Sequence, residues 1–220
     1  MYTAVVLAGG DPVDPGIAAH LPRSAFVVAA DSGLHLAAGL GLRVDVVVGD
    51  FDSVDPALLE VAIAAGARAE RHPEAKDETD LELAIRAAVA HGASRAVVVG
   101  GAGGRVDHFL ANLFLLAAPA FRTVEIEAHM AGARLFVTHG GRDPVELHGR
   151  KGSLVTLLPV CGPVFGVTSS GLRYPLAHAE LQAGTTRGVS NTMVGATATV
   201  ELAHGTLVVV QPDSGRGSLA

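Results

Sequence analysis

The stretch from residue 25 to residue 40, AFVVAADSGLHLAAGL, shows the pattern that decides the fold. It opens with a short apolar run rich in valine, continues through the polar break Asp31-Ser32-Gly33, and ends in a run rich in alanine and leucine. Valine-rich runs favour strands, whereas alanine and leucine favour helices. The stretch therefore predicts one strand, one loop and one helix in succession.

The same alternation recurs along the first 120 residues. Strands are predicted at 3–7, 25–29, 44–48, 67–72 and 95–99, and helices at 34–40, 56–65, 81–91 and 108–118. Repeated strand-helix units are typical of an α/β fold with a parallel sheet. We therefore expect a Rossmann-like, doubly wound, mostly parallel sheet in this part of the chain.

The pattern of residue types changes after about residue 122. Short strand candidates lie at 124–128, 134–138, 153–160, 195–202 and 205–211, separated by turn-forming residues, and no helical period of ten residues is found. This pattern predicts an all-β domain, a small sandwich. We place the boundary near His139-Gly140-Gly141, which gives an α/β domain over residues 1–138 and a β-sandwich domain over 139–220.

The composition limits the classes of function. The chain has 220 residues, 49% of them hydrophobic and 17% charged, which excludes a disordered or fibrous protein. A net charge of -6 argues against nucleic acid as a main partner. No apolar run approaches the ~18 residues of a membrane helix, and the single cysteine cannot form an internal disulfide. We expect a soluble, cytoplasmic protein without a membrane partner.

Acidic residues follow the predicted strands. Ligands bind at the carboxyl ends of strands in open parallel sheets, so these positions are the first candidates for chemistry. Asp50 and Asp52 stand two residues apart in one loop and would repel each other unless a cation lay between them. A hard cation such as Mg²⁺ suits such a site. Other acids that the sheet would bring to the same edge are Asp31, either Asp77 or Asp80, and Asp107.

Some of these acids have a structural alternative. Asp31, Asp55 and Asp107 each precede a predicted helix and could act as N-caps. Asp55 is followed by proline, which is favoured at the first helical position. Thr79-x-x-Glu82 is typical of a capping box. In that case the only role of Asp80 would be a favourable interaction of its charge with the helix dipole.

Two glycine-rich segments follow the first and fifth strands. Gly9-Gly10 and the segment 100–104 would let a polyphosphate approach backbone N–H groups, with Arg105 as a bidentate phosphate ligand, although tight turns explain glycine equally well. Lys76 either contacts phosphate or pairs with a neighbouring acid. No G-x-x-x-x-G-K-S/T motif occurs, which excludes a P-loop NTPase, and residues 101–106 fail the dinucleotide fingerprint.

Four motifs in succession carry a resemblance to a known family. GDFDS at 49–53, KDETD at 76–80, GGRVDH at 103–108, and GLRYPL through GTTRGVSN at 171–191 resemble thiamine pyrophosphokinases. The resemblance spans most of the chain. It implies pyrophosphoryl transfer from ATP to thiamine, and a homodimer whose active site lies between the α/β domain of one subunit and the β-sandwich of the other.

The resemblance also implies site residues. The expected catalytic residues are Asp31, Asp50, Asp52, Asp77, Asp80, Asp107 and Arg105. Mg²⁺ would bind Asp50, Asp52 and Asp80. The expected ATP contacts are Gly9, Gly10, Lys76, Thr79, Gly101, Arg105 and His108, and the expected thiamine contacts are Arg187, Ser190 and Asn191. For Ser190 and Asn191, local physics alone favours a turn.

Two other functions stay open at this point. Many family members have Glu after the Ser-Asn pair, where this chain has Thr192. That departure leaves room for a pyrophosphokinase acting on another heterocyclic alcohol, such as a hydroxymethylpterin. The alternative from a different class is a non-catalytic regulator that binds a nucleotide or thiamine.

Overall fold

The computed structural model describes residues 2–213. Within them, the α-helices are α1 (Gly33–Gly39), α2 (Pro56–Ala64), α3 (Asp80–Ala90) and α4 (Val106–Leu116), and short 3₁₀ helices cover Pro15–His20 and Pro119–Phe121. The strands are β1 (Thr3–Ala8), β2 (Phe26–Ala30), β3 (Val46–Gly49), β4 (Arg68–Arg71), β5 (Arg95–Gly100), β6 (Glu125–Met130), β7 (Ala133–His139), β8 (Val145–His148), β9 (Leu154–Ser170), β10 (Ala179–Leu181), β11 (Asn191–Thr192), β12 (Thr197–Glu201) and β13 (His204–Pro212).

The described residues divide into two compact units. The first runs to Leu115 and resumes over Thr123–Ala131, and the second takes the other described residues. The division of the chain at residues 138 and 139 stays a prediction.

The first unit is built on a parallel sheet of order β4-β3-β2-β1-β5-β6. Its central strands are continuous runs of valine and alanine, as expected where both faces of a sheet are covered. Val6, Val28 and Val98 are completely buried. All nine strands and helices predicted before residue 120 are confirmed, with ends within two residues of their predicted positions. A mixed sheet with few helices is therefore the observed class of the chain.

Two helix starts in the first unit follow the predicted capping chemistry. The Oδ1 atom of Asp55 accepts a hydrogen bond from Ala57 N–H at 2.9 Å, ahead of Pro56. The hydroxyl of Thr79 accepts one from Glu82 N–H at 3.3 Å. Asp55 is thus confirmed as a cap, and the capping role of Thr79 places Asp80 in the first turn of α3.

The second unit consists of antiparallel strands, four of which pair with β9. This strand of 17 residues pairs with β13 along its first part and with β12 at its end, and it also pairs with β10 and β11. Side chains from several strands, among them Leu147, Leu157 and Leu207, form a completely buried core. The strand predicted at 153–160 proves to continue to Ser170, because left-handed residues such as Gly166 let it bend without ending.

Candidate functional site

Asp31 follows β2 and adopts the left-handed conformation, with φ of 44°. Its N–H donates to Val48 O at 2.8 Å, which fixes it beside the end of β3. The residue is 8% exposed, and its Oδ1 atom has no hydrogen-bond partner among the described residues. The N-cap of α1 is Ser32. The alternative interpretation of Asp31 as a cap is therefore wrong. One oxygen of its carboxylate, Oδ1, is left unpaired within the described residues.

Three carboxylates meet at this edge of the sheet. Asp31, Asp50 and Asp52 each offer one oxygen atom, and these three atoms lie within 4.8 Å of one another. Burial raises the pKa of Asp31, and the charges of Asp80, Asp52 and Asp50 raise it further, against a backbone hydrogen bond from Ser32 that lowers it. The group is a costly arrangement of like charges, of the kind that a bound cation neutralises.

Lys76 places a positive charge beside this group. Its Nζ atom lies 3.3 Å from Asp50 Oδ2 and 3.0 Å from Asp80 Oδ1, and its side chain is 12% exposed. Burial disfavours the ammonium charge, but the bonds to Asp80 and Asp50 outweigh burial and raise the pKa of Lys76. The Asp52 N–H and the Lys76 ammonium together hold the pKa of Asp50 below its usual value. The ion-pair interpretation of Lys76 is thus confirmed.

Arg105 and Asp107 form a separate, exposed pair. Arg105 donates from Nη2 to Asp107 Oδ2 at 2.6 Å and from Nε to Oδ1 at 3.2 Å. This contact lowers the pKa of Asp107 to about 2. Asp107 lies in the first turn of α4 and Asp77 is exposed. Neither belongs to the group of three carboxylates, so the structure brings only part of the predicted acid set together.

The glycine segments after β1 and β5 bind each other. Gly101 N–H donates to Gly9 O at 2.9 Å, and Asp11 N–H donates to Ala102 O at 2.7 Å. A side chain at Gly10 would collide with the carbonyl of Ala102. The close approach of two loops therefore requires glycine here, whether or not a phosphate binds.

Asn112 is a residue of this region that the sequence reasoning missed. It lies on α4, and its Nδ2 atom donates to Gly101 O at 2.8 Å. An asparagine within the leucine-rich helix sequence FLANLFLL was the available signal, because asparagine is unfavourable in a helix interior without a specific contact. Two further residues were predicted to contact ATP. Thr79 caps α3, and His108 is exposed on α4.

The predicted thiamine contacts lie in the second unit. Ser190 is exposed with φ of 60°, and Arg187 is exposed and donates to Glu180 O at 3.2 Å. Asn191 is buried and bonds to the backbone of the loop 171–176. Its amide is therefore engaged within the chain. The turn that local physics favoured includes Ser190, whereas Asn191 begins β11.

The acid group fits a divalent cation. Its donors are carboxylate oxygens, which hard cations such as Mg²⁺ prefer, and Asp31 Oδ1 is buried without a donor. Asp31, Asp50 and Asp52 would hold such an ion. None of the helices in the described part of the chain combines the length and apolar character of a membrane span.

Comparisons with known proteins bear on both units. The family model described as "Thiamin pyrophosphokinase, catalytic domain" matches residues 18–128, and "Thiamin pyrophosphokinase, vitamin B1 binding domain" matches residues 144–207. A thiamine pyrophosphokinase of Bacillus subtilis is 24% identical over 96% of this chain and 99% of its own length. Thiamine pyrophosphokinase 2 of Arabidopsis thaliana is 29% identical over 71% of this chain and 61% of its own. The solved structure of the Bacillus subtilis enzyme has a TM-score of 0.83 at 22% identity, covering 97% of this chain and all of its own.

Proposed function

This chain belongs to the thiamin pyrophosphokinase family, and we propose that it converts ATP and thiamine into AMP and thiamine diphosphate. The observation that carries the proposal is the group of three carboxylates, Asp31, Asp50 and Asp52, beside the Lys76 ammonium. Such a site combines a place for a cation with a positive side chain, as the transfer of a highly charged group requires.

The reaction moves a diphosphoryl group in one step. The hydroxyl oxygen of thiamine bonds to the β-phosphorus of ATP, while the bond from that phosphorus to the oxygen bridging to the α-phosphorus breaks. The bridging oxygen leaves with AMP, and the hydroxyl proton is released. Little covalent chemistry falls to the protein, so its contribution is positioning and neutralisation of charge.

We propose Mg²⁺ as the cation, held by Asp50 and Asp52 with Asp31. When bound, Mg²⁺ would neutralise charge on the phosphate oxygens. Asp80, also expected as a ligand, forms an ion pair with the same Lys76 ammonium. There it fixes Lys76 in place, which supports a role in aligning this side chain toward phosphate.

Phosphate binding by Arg105 is supported by its exposed guanidinium, which already forms a two-point contact with a carboxylate. The glycine segments offer close approach to backbone, and Gly101 is fixed at both its N–H and its C=O. Asp107 is held as an anion by Arg105. It or Asp80 would orient the thiamine hydroxyl by accepting a hydrogen bond.

For the second unit we propose thiamine recognition through the segment 184–191, with Arg187, Ser190 and Asn191. The match of residues 144–207 to a vitamin B1 binding domain supports this. We further propose that the parallel sheet is Rossmann-like, that the second unit is a β-sandwich, and that the enzyme is a cytoplasmic homodimer with active sites shared between subunits.

The test is incubation of the purified protein with ATP, Mg²⁺ and thiamine, with AMP and thiamine diphosphate measured together. Equal amounts of the two products are expected. A parallel incubation replaces thiamine with a hydroxymethylpterin alcohol, and no AMP should form there. Thiamine binding without either product would instead identify a binding protein, and product formation only with the pterin would reassign the substrate.

A further inference from the structure

The loop between Asp50 and Asp52 contains a strained residue. Phe51 has φ of 68°, in the left-handed region that bulky residues rarely adopt. A residue persists there only where its surroundings hold it, and such residues cluster at functional sites. Because Phe51 separates the two acids, its conformation sets the spacing of their carboxylates. What holds Phe51 therefore also holds the acid group.

Arg71 contacts this loop at two consecutive residues. It ends β4, where it pairs in register with Gly49 of β3. Its Nη1 atom donates to Asp50 O at 2.7 Å, and its Cζ atom lies 4.7 Å from the centre of the Phe51 ring. Phe51 is partly buried and also packs against the core of the first unit. The ring therefore contacts both the Arg71 guanidinium and the core.

Arg71 does not serve as a counter-charge for a neighbouring acid. Within residues 2–213 it forms no ion pair with a carboxylate, whereas Arg68 on the same strand pairs with Glu70. A hydrogen bond to a backbone carbonyl and a stacked ring are contacts that fix conformation. They distinguish Arg71 from an arginine kept only for its charge.

We infer that Arg71 is a positioning residue that holds Asp50 and Asp52 in the arrangement that binds the divalent cation. The inference rests on the proposed function for the existence of that cation site. It makes a prediction opposite in sign to simple electrostatics. Removing a positive charge near an acid group should by charge alone tighten cation binding, whereas loss of positioning should weaken it.

The experiment measures Mn²⁺ binding to the whole purified protein by calorimetric titration, without ATP or thiamine. Arg71→Gln is expected to weaken binding by about tenfold, the scale of one lost hydrogen bond to a charged group. Arg68→Gln is the matched control, since it removes the same charge from the same strand and should leave the affinity unchanged. Arg71→Lys retains the charge but not the planar stacking, so its Mn²⁺ affinity should be lower than that of the wild type. This variant still tests the inference if Arg71→Gln fails to fold.

The outcomes separate this inference from the proposal on which it rests. Unchanged or tighter binding in folded Arg71→Gln or Arg71→Lys would overturn the positioning role while leaving the cation site intact. Absence of Mn²⁺ binding to the wild-type protein would overturn the proposed site and the positioning role together. If Arg71 acts through the ring, Phe51→Leu should weaken binding, and the double variant with Arg71→Gln should lose less than the sum of the two.

Discussion

The side-chain amide of Asn191 bonds to both backbone polar groups of Tyr174. Its Oδ1 atom accepts from the Tyr174 N–H at 3.1 Å, and its Nδ2 atom donates to the Tyr174 carbonyl at 2.8 Å. The same Oδ1 atom accepts from Thr192 N–H at 2.9 Å. A residue expected to contact thiamine thus ties the loop 171–176 to β11.

Asn191→Ala should therefore reduce both stability and thiamine binding. Unpaired buried backbone groups at Tyr174 should lower the free energy of unfolding by about 1–3 kcal/mol, and the thiamine KM should rise while the ATP KM does not. Denaturant melts and steady-state kinetics measure the two effects. Val194→Ala, at an exposed position nearby, is the control. A full stability loss with an unchanged thiamine KM would reduce Asn191 to a structural role.

Asp31→Asn should stabilise the metal-free protein at neutral pH. Burial raises the pKa of Asp31, so the ionised group costs free energy once the pH exceeds its folded-state pKa, and its favourable contribution is complete only below the unfolded value of 3.8. In EDTA at pH 7 the variant should melt at a higher temperature than the wild type, with a gain that shrinks as the pH falls toward 4. Mg²⁺ should stabilise the wild type more than the variant. A lower melting temperature for the variant would contradict the cost assigned to Asp31.

Asp50→Asn should abolish most of the activity without unfolding the protein. Loss of a carboxylate that would hold the charge-neutralising Mg²⁺ should cut kcat by at least ~10²-fold. Turnover of thiamine and a thermal melt provide the measurement. Asp55→Asn is a matched control, because the Asp55 side chain caps α2 and asparagine also caps helices. Near-normal turnover in Asp50→Asn would remove this residue from the mechanism.

Lys76→Met should destabilise the metal-free protein and weaken ATP binding. The change leaves Asp50 and Asp80 without their shared ammonium in a partly buried site. In EDTA the melting temperature should fall by several degrees, a shift of about 2–4 °C per kcal/mol for a chain of this size. Mg²⁺ should restore part of the loss, and the ATP KM should rise. The chain's other lysine supplies the control, since Lys151→Met changes an exposed position.

His139 should make the second unit sensitive to acid. Burial lowers the pKa of His139, and the charges of Arg142 and Arg122 lower it further. Its stabilising contribution is therefore present above the unfolded value of 6.5 and is lost as the pH falls through the folded-state pKa. His139→Asn should lose less stability than the wild type between pH 7 and pH 5, as measured by denaturant melts. His148→Gln, at an exposed position, should behave as the wild type.

The acid group was accessible to sequence reasoning because its members follow neighbouring strands. In a parallel sheet the carboxyl ends share one edge, so Asp31, Asp50 and Asp52 were expected together, and the structure places them within reach of one cation. Asp107 follows β5 in the same way but forms an ion pair with Arg105, two residues away. Strand order alone does not reveal such a local competitor.

The supporting residues were inaccessible for a different reason. Arg71 acts on a residue 20 positions earlier in the chain, and Asn112 acts on one 11 positions earlier, so no local pattern marks either. In the second unit, β8, β10 and β11 have only two to four residues each. Such short strands exist through pairing with distant partners and leave little periodicity to detect.

The length of β9 has a consequence for the assembly of the chain during synthesis. Four other strands of the second unit hydrogen-bond to it, and β13, with the most extensive of these pairings, follows it by more than 30 residues. Contacts so distant in sequence slow folding, because a long loop must close before they form. As the chain leaves the ribosome, β9 is therefore synthesised before β13, the strand with which it forms its most extensive pairing. An interrupted translation product that ends before β13 would therefore expose the apolar face of β9 without its main partner.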